Sequence, residues 1–294
     1  MFMKKDRKKI VFFEKIKTVF SDILKPYVSK EGRTFQTNEF KVVAPYPFGL
    51  YIMAILVYIF IVAWSVTGIN VGLFFSNLSN MWRIIGGLIQ PNFSFFPRMI
   101  DPLLETIQIS IAGTVVGAVL AVPFAILSSS NIVKNKFVYV PIRFLMSLIR
   151  TIPVLVYAAI LMFIVGMGFL AGSIALSIFT FTIVSKMLYE SIETIDMLPY
   201  EAIESTGATR FQALRAAVVP QVIGSYISIV LYNFEINIRS ASILGFVGAG
   251  GIGILLNDRI GWRKYEDVGM ILLVIFAVVL SIESLSRYLR RRLN

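Results

Sequence analysis

Apolar residues run along this chain in long blocks separated by short polar stretches. A helix that spans a bilayer needs roughly 20 mainly apolar residues. Six blocks meet that length, at about 47–68, 103–127, 143–167, 169–189, 222–245 and 267–287. The expected fold is therefore all-α, a polytopic membrane protein with about six transmembrane helices. GMGFLAG alone separates the third block from the fourth and predicts a tight helical hairpin. Pro123 and Pro153 fall inside apolar blocks, where a proline kinks a helix or frees carbonyl groups. The second block has Gly113, Gly117, Ala121 and Ala125 spaced by four, beside Thr106, Ser110 and Thr114. Small residues let helix backbones approach closely and hydroxyls bond across the contact, so this face predicts a helix–helix interface.

Residues 1–46 are a different kind of sequence, with eleven basic and five acidic residues and no long apolar run. IVFFEKIKTVFSDILK (10–25) mixes apolar and basic positions at rough helical spacing. It reads either as an amphipathic helix on an anionic membrane surface or as a solvated tail. Two regions are expected: a cytoplasmic basic N-terminal region over 1–46 and a membrane domain over 47–294. Lys and Arg decide orientation. With the N-terminus inside, 22 of the 28 basic residues fall on the cytoplasmic side. Five fall outside (Arg83, Arg98, Arg259, Arg263 and Lys264), and Arg239 lies within a span. This places the chain as a multi-pass protein of the cell membrane with both termini cytoplasmic.

Composition agrees. The chain has 294 residues, 57% hydrophobic and only 15% charged, where a soluble domain carries about 25% charged residues. The net charge of +11 would point to nucleic acid in a soluble protein. Here most of it marks the cytoplasmic side, and no nucleic-acid partner is expected. Cysteine and histidine are absent, which removes disulfides, thiolate nucleophiles, Cys/His zinc sites and histidine bases. No G-x-x-x-x-G-K-[ST] loop occurs, so ATP hydrolysis by that route is excluded. No catalytic residues and no metal ligands are assigned.

The most informative polar stretch is EAIESTGATRFQALRAAVVP (201–220), within a cytoplasmic loop over 190–221. Pro199, Glu201 and Glu204 favour a helix N-terminus. Gly207 suits the left-handed residue that ends it. Thr209 and Gln212 form a capping box that starts a second helix, and Pro220 breaks the chain before the next span. Two short capped helices joined by a bend make a rigid object for a partner to grip. This spacing resembles the signature of ATP-binding cassette importer permeases: Glu-Ala-Ala, three residues, Gly, nine residues, then apolar-x-Leu-Pro. Glu201, Ala202 and Gly207 match, Ile203 replaces the second alanine, and Ala217, Val219 and Pro220 fill the distal part with conservative changes. YNFEINIRSASILGFVGAGGIG (232–253) and RTIPVLVYA (150–158) are similar to the phosphonate permease group, and the similarity covers roughly 100–290.

The resemblance implies the type I importer permease fold and a permease subunit for a phosphonate or related phosphorus oxyanion. It implies Glu201, Ala202, Gly207, Ala208 and Pro220 as the ATPase-coupling loop. The implied partners are cytoplasmic ATPase subunits, which carry ATP and Mg, and an extracytoplasmic substrate-binding protein. A second permease chain, identical or paralogous, completes the set. This chain itself is expected to bind no cofactor.

Glu235 and Arg239 share a helix face within the fifth block, with Asn237 between them. An intramembrane charge is costly unless paired or facing a cavity, so the three mark either a structural ion pair or the translocation path. GAGGIG (248–253) satisfies the G-x-G-x-x-G spacing but lacks the strand that a dinucleotide site needs. Gly248, Gly250, Gly251 and Gly253 read instead as a turn and a candidate hinge. Asp258, Glu266 and Asp267, beside Arg259, Arg263 and Lys264, form a docking surface or a solvated loop. Three alternatives remain: a permease for a different small solute, an ion-coupled secondary transporter, and a membrane enzyme built on Glu190, Glu193 and Asp196.

Overall fold

A computed structural model describes residues 34–36, 41–43, 48–68 and 71–293 of the chain. The amphipathic segment expected over 10–25 lies outside the described residues. The chain divides into two compact units, 1–78 and 79–294. The division falls after Leu78, so the first apolar block goes with the N-terminal unit and not with the other spans.

The first unit contains a short antiparallel pair, β1 (Thr34–Gln36) and β2 (Lys41–Val43), in which Phe35 faces Val42. It is a small exception to the all-α expectation among the described residues. α1 (Phe48–Thr67) and α2 (Val71–Ser76) follow. α1 has no charged residue and no polar face, the pattern of a helix surrounded by lipid.

The second unit is helical. α3 (Leu78–Ile89) is amphipathic and leads to a 3-10 turn over Phe93–Met99, which Asn92 caps through the Ser94 N–H. α4 (Ile100–Ser128), α5 (Lys136–Arg150), α6 (Val154–Val165) and α7 (Phe169–Glu193) come next. The polar loop carries α8 (Leu198–Ser205) and α9 (Arg210–Ala213), and a π-turn over Leu214–Val218 runs into α10 (Val219–Leu244). A 3-10 turn over Gly245–Val247 leads to α11 (Ile252–Gly261) and α12 (Tyr265–Leu293).

Among the described residues four stretches are long and apolar enough to cross a membrane: 93–128, 169–193, 210–247 and 265–292. The block expected as a single third span, 143–167, is not straight. α5 and α6 meet at an angle of 84°. The cause is Pro153, which has no N–H to bond the Ile149 carbonyl and holds an extended conformation at φ −59°, ψ 142°. The Tyr157 hydroxyl donates to that carbonyl at 2.6 Å and satisfies it. Among the described residues four spans, or five with the bent pair as one, thus meet the required length beside the shorter apolar helix over 51–67, and the expected count of six is not confirmed.

The core is the contact of α4 with α7. Gly113, Gly117, Ala121 and Ala125 of α4 are all buried. A Cβ on Gly113 would sit 2.5 Å from the Leu176 Cβ, and one on Gly117 would sit 2.6 Å from the Ser177 carbonyl oxygen. The backbones are therefore closer than any larger residue permits. Replacing Gly117 with Leu is expected to cost about 1–3 kcal/mol or more by overpacking. Thermal unfolding of the detergent-solubilised chain checks this; an unchanged midpoint means that α4 and α7 do not meet here.

Candidate functional site

The loop after α7 is built on an apolar footing. Tyr200, Ala213, Ala217, Val218 and Val222 pack with Ala125 of α4 and with Leu188 and Ile192 of α7. Polar contacts fix the remaining corners. The Asp196 side chain accepts the Leu198 N–H at 3.0 Å, and Gln221 Nε2 donates to the Asp196 carbonyl at 3.1 Å. Gly207 takes φ +89°, a conformation that costs an L-residue about 1–2 kcal/mol. Thr209 and Gln212 form the reciprocal capping box. Burial pushes the Tyr200 phenol above its usual value, Glu204 adds to the rise and Arg210 opposes it, so it stays neutral. On the outward side Glu201, Ala202, Gly207 and Pro220 are exposed and Ala208 is half-buried. Leu198 and Phe211 stand more than two-thirds exposed. The loop thus presents apolar knobs and carboxylates on a rigid base.

Behind the loop lies a network that the sequence reading did not assign. Arg143 of α5 donates to the Ser128 carbonyl from Nε at 2.8 Å and pairs with Glu193 at the end of α7. Its guanidinium lies 5.0 Å from the Tyr139 ring centre and 4.4 Å from that of Tyr189. Glu193 also accepts the Ser130 N–H at 2.8 Å. The ends of α4 and α7 are thereby tied to the middle of α5 where the loop departs. The carboxylates considered for catalysis are engaged in this structure: Glu193 with Arg143, Glu190 with Lys186 at 3.5 Å, and Asp196 at the start of α8.

The intramembrane polar residues fall on two faces of α10. Glu235 is buried and pairs with Arg239 one turn on, as their spacing predicts. It also pairs with Arg290 of α12 at 3.4 Å. No sequence signal indicated that partner, which lies 55 residues away. The Arg239 side chain is 52% exposed, so it is available to a visitor as well as to Glu235. Asn237 does not join this cluster. It is fully buried on another face of α10, where Nδ2 donates to Thr114 Oγ1 at 2.8 Å and Thr180 Oγ1 at 2.7 Å. One amide thus joins α10 to both α4 and α7.

The glycine turn is closely packed. Gly248, Gly250 and Gly251 hold φ of +78°, +89° and +73°. A Cβ on Gly251 would lie 2.5 Å from Thr106 Oγ1, and one on Gly253 would lie 2.3 Å from the Ser242 carbonyl oxygen. The Ile252 N–H donates to Thr106 Oγ1 at 2.7 Å. Close approach explains the glycines, whatever part they play in movement. Nearby, Asp267 is buried, accepting from Asn92 Nδ2 at 2.8 Å and lying 3.7 Å from Arg259. It belongs to the packing, while Asp258 and Glu266 are exposed.

Comparison with known proteins places this geometry. Residues 113–294 match the family model described as "Binding-protein-dependent transport system inner membrane component". The chain is 33% identical over 233 residues to the phosphite transport system permease protein PtxC of Stutzerimonas stutzeri, covering 79% of this chain and 85% of that one. It is 34% identical over 215 residues to the phosphate-import permease protein PhnE of Mycolicibacterium smegmatis, covering 69% of this chain and 40% of that longer one. Among solved structures, an inward-facing methionine ABC transporter, MetNI, superposes with a TM-score of 0.62 at 20% identity, over 69% of this chain and 99% of that one.

The shared carboxylate sets a non-additive outcome. Arg239→Gln alone leaves Glu235 paired with Arg290, and Arg290→Gln alone leaves it paired with Arg239. Each is expected to cost about 1 kcal/mol, and the double variant about 3–5 kcal/mol, because the buried carboxylate then has no cation. Unfolding of the four proteins in one detergent measures the coupling, and simple additivity contradicts the shared pair.

Proposed function

The chain belongs to the binding-protein-dependent transport system inner membrane components, and on that premise we propose that it is the permease subunit of an ATP-driven importer for a phosphonate or related phosphorus oxyanion. The phosphite and phosphate permeases among its relatives support the substrate class. Both termini lie in the cytoplasm on this reading, as the distribution of Lys and Arg requires. An extracytoplasmic binding protein delivers the anion. Two permease chains, identical or paralogous, enclose the path between them. ATP and Mg belong to separate cytoplasmic ATPase subunits.

The observation that carries this reading is the rigid loop over 198–220. Its outward face offers Leu198 and Phe211 as apolar anchors, the residue class that dominates well-packed contacts. Glu201, Ala202 and Gly207 lie on the exposed surface beside them. When the ATPases close, they move this loop. Its footing on α4, α7 and α10 carries the displacement into the spans. ATP and the loaded binding protein act by binding one state better than the other. Arg239, half exposed on α10, supplies positive charge toward the path, with Glu235 holding it in place.

Cells that carry the chain are expected to take up radiolabelled methylphosphonate in an ATP-dependent way, with loss on deletion. Unlabelled phosphite and phosphate serve as competitors that rank the substrates. No loss on deletion sets aside the substrate class and leaves a permease for another small solute. Gly207→Pro is expected to leave the chain in the membrane and lower uptake roughly tenfold or more, while ATPase activity in the complex persists. Normal uptake by that variant excludes a coupling role for the loop.

A further inference from the structure

Of the five basic residues expected on the non-cytoplasmic side, three line one cavity. Arg83 of α3, with Arg263 and Lys264 between α11 and α12, border a depression of about 950 Å³ that also reaches Asn92, Tyr265, Glu266 and Asp267. The other two basic residues do not line it, and Arg259 is already engaged by Asp267 and lies 4.8 Å from the Phe95 ring centre. Asp267 is likewise taken by Asn92 and Arg259. Arg83 bonds the neutral Asn80 side chain at 2.9 Å. Among the described residues neither Arg263 nor Lys264 has an ion pair. Three cations thus face one carboxylate, Glu266, that is not held in the packing.

Three further features set this cavity apart from a solvated loop. Arg263 holds φ +54°, and no other residue except glycine among those described has a positive φ. Glycine usually fills such a position after a helix, and here an arginine does so at the rim of the cavity. Two tryptophans stand next to the arginines in the chain. Trp82 is 66% exposed and Trp262 is 76% exposed. Exposed tryptophan marks the headgroup level of a bilayer. Close packing sets α3 against α12, since a Cβ on Gly87 would lie 2.7 Å from the Tyr265 Cβ. The cavity is therefore a built feature and does not depend on a loose helix.

We propose that Arg83, Arg263 and Lys264 form a binding site for an anionic phosphoryl group at the non-cytoplasmic membrane interface. Guanidinium and ammonium groups recognise tetrahedral phosphorus oxyanions through charge-assisted hydrogen bonds. The flanking tryptophans favour the phosphodiester of an anionic phospholipid as the source, and a free oxyanion shares the same chemistry. The site needs only these residues and does not rest on the identity of the transported solute.

The test uses the full chain in nanodiscs and in lipid-free detergent. Phosphatidylglycerol retention is measured by native mass spectrometry against phosphatidylcholine, and binding of inorganic phosphate and methylphosphonate by calorimetry. Each charge removed is expected to weaken binding about fivefold, in Arg83→Gln, Arg263→Gln and Lys264→Gln singly and combined. Phosphatidylglycerol binding that falls with each charge and is untouched by the free anions identifies the lipid headgroup. Free-anion binding that falls in the same series identifies a soluble oxyanion. Binding of both kinds that is equal in the wild type and the triple variant overturns the site. Arg83→Lys with Arg263→Lys retains charge and is expected to retain binding. Should the triple variant fail to fold, this pair and Lys264→Gln decide the question.

Discussion

The close approach of the α4 and α7 backbones is the contact from which the second unit hangs. In hydrocarbon no hydrophobic force draws one apolar helix to another, so contact rests on packing and on hydrogen bonds. Gly113 and Gly117 supply the packing by leaving no room for any side chain. The hydroxyls of the adjoining stripe supply the bonds. Thr106, Ser110 and Thr114 each donate to the carbonyl four residues back, at 2.6–2.8 Å. Their oxygens remain free to accept. Thr106 accepts from the glycine turn and Thr114 from Asn237 of α10. One helix face therefore fixes a partner helix by shape and two other elements by polarity.

The same arrangement explains why the polar loop is rigid. Ala125, at the lower end of the small-residue stripe, is part of the apolar cluster beneath α8 and α9. Arg143 closes the adjoining corner, holding the end of α4 through the Ser128 carbonyl and the end of α7 through Glu193. Asn131 adds a bond to the Ile192 carbonyl at 2.7 Å. A push on α8 has no slack segment to absorb it before it reaches α4, α7 and α10. The coupling role proposed for this loop would use that continuity, which short helices on a packed footing provide.

Local features were legible in the sequence because their causes are local. The Thr209–Gln212 box, the left-handed Gly207 and the pair Glu235–Arg239 all depend on residues within four positions of one another. The small-residue face of α4 was legible because helical period sets it. The bend at Pro153 was harder. Hydropathy counts apolar residues without regard to direction, and the run over 143–167 is apolar through the break. Arg290 on Glu235 and Arg143 on Glu193 join residues 55 and 50 positions apart. No pattern in one sequence brings such partners together. Asp267 looked like part of a charged surface and is buried, because α11 and the turn at Asn92 fold over it.

Glu235 makes the charge on α10 more constrained than its single arginine implied. A lone buried carboxylate would protonate or unfold its surroundings, and here two guanidinium groups face it. The cluster carries one positive charge in excess, and the more exposed of its two cations is Arg239. On the proposed path, an anion would meet a guanidinium whose field Glu235 partly cancels. On that proposal the balance suits passage, since a site must bind well enough to admit its ion and weakly enough to release it. Arg290 is the part of the cluster that leaves Arg239 partly free, because it shares the claim on Glu235. The structural and the functional readings of Glu235 and Arg239 are then compatible, since the buried carboxylate is held by α12 as well as by the cation on α10.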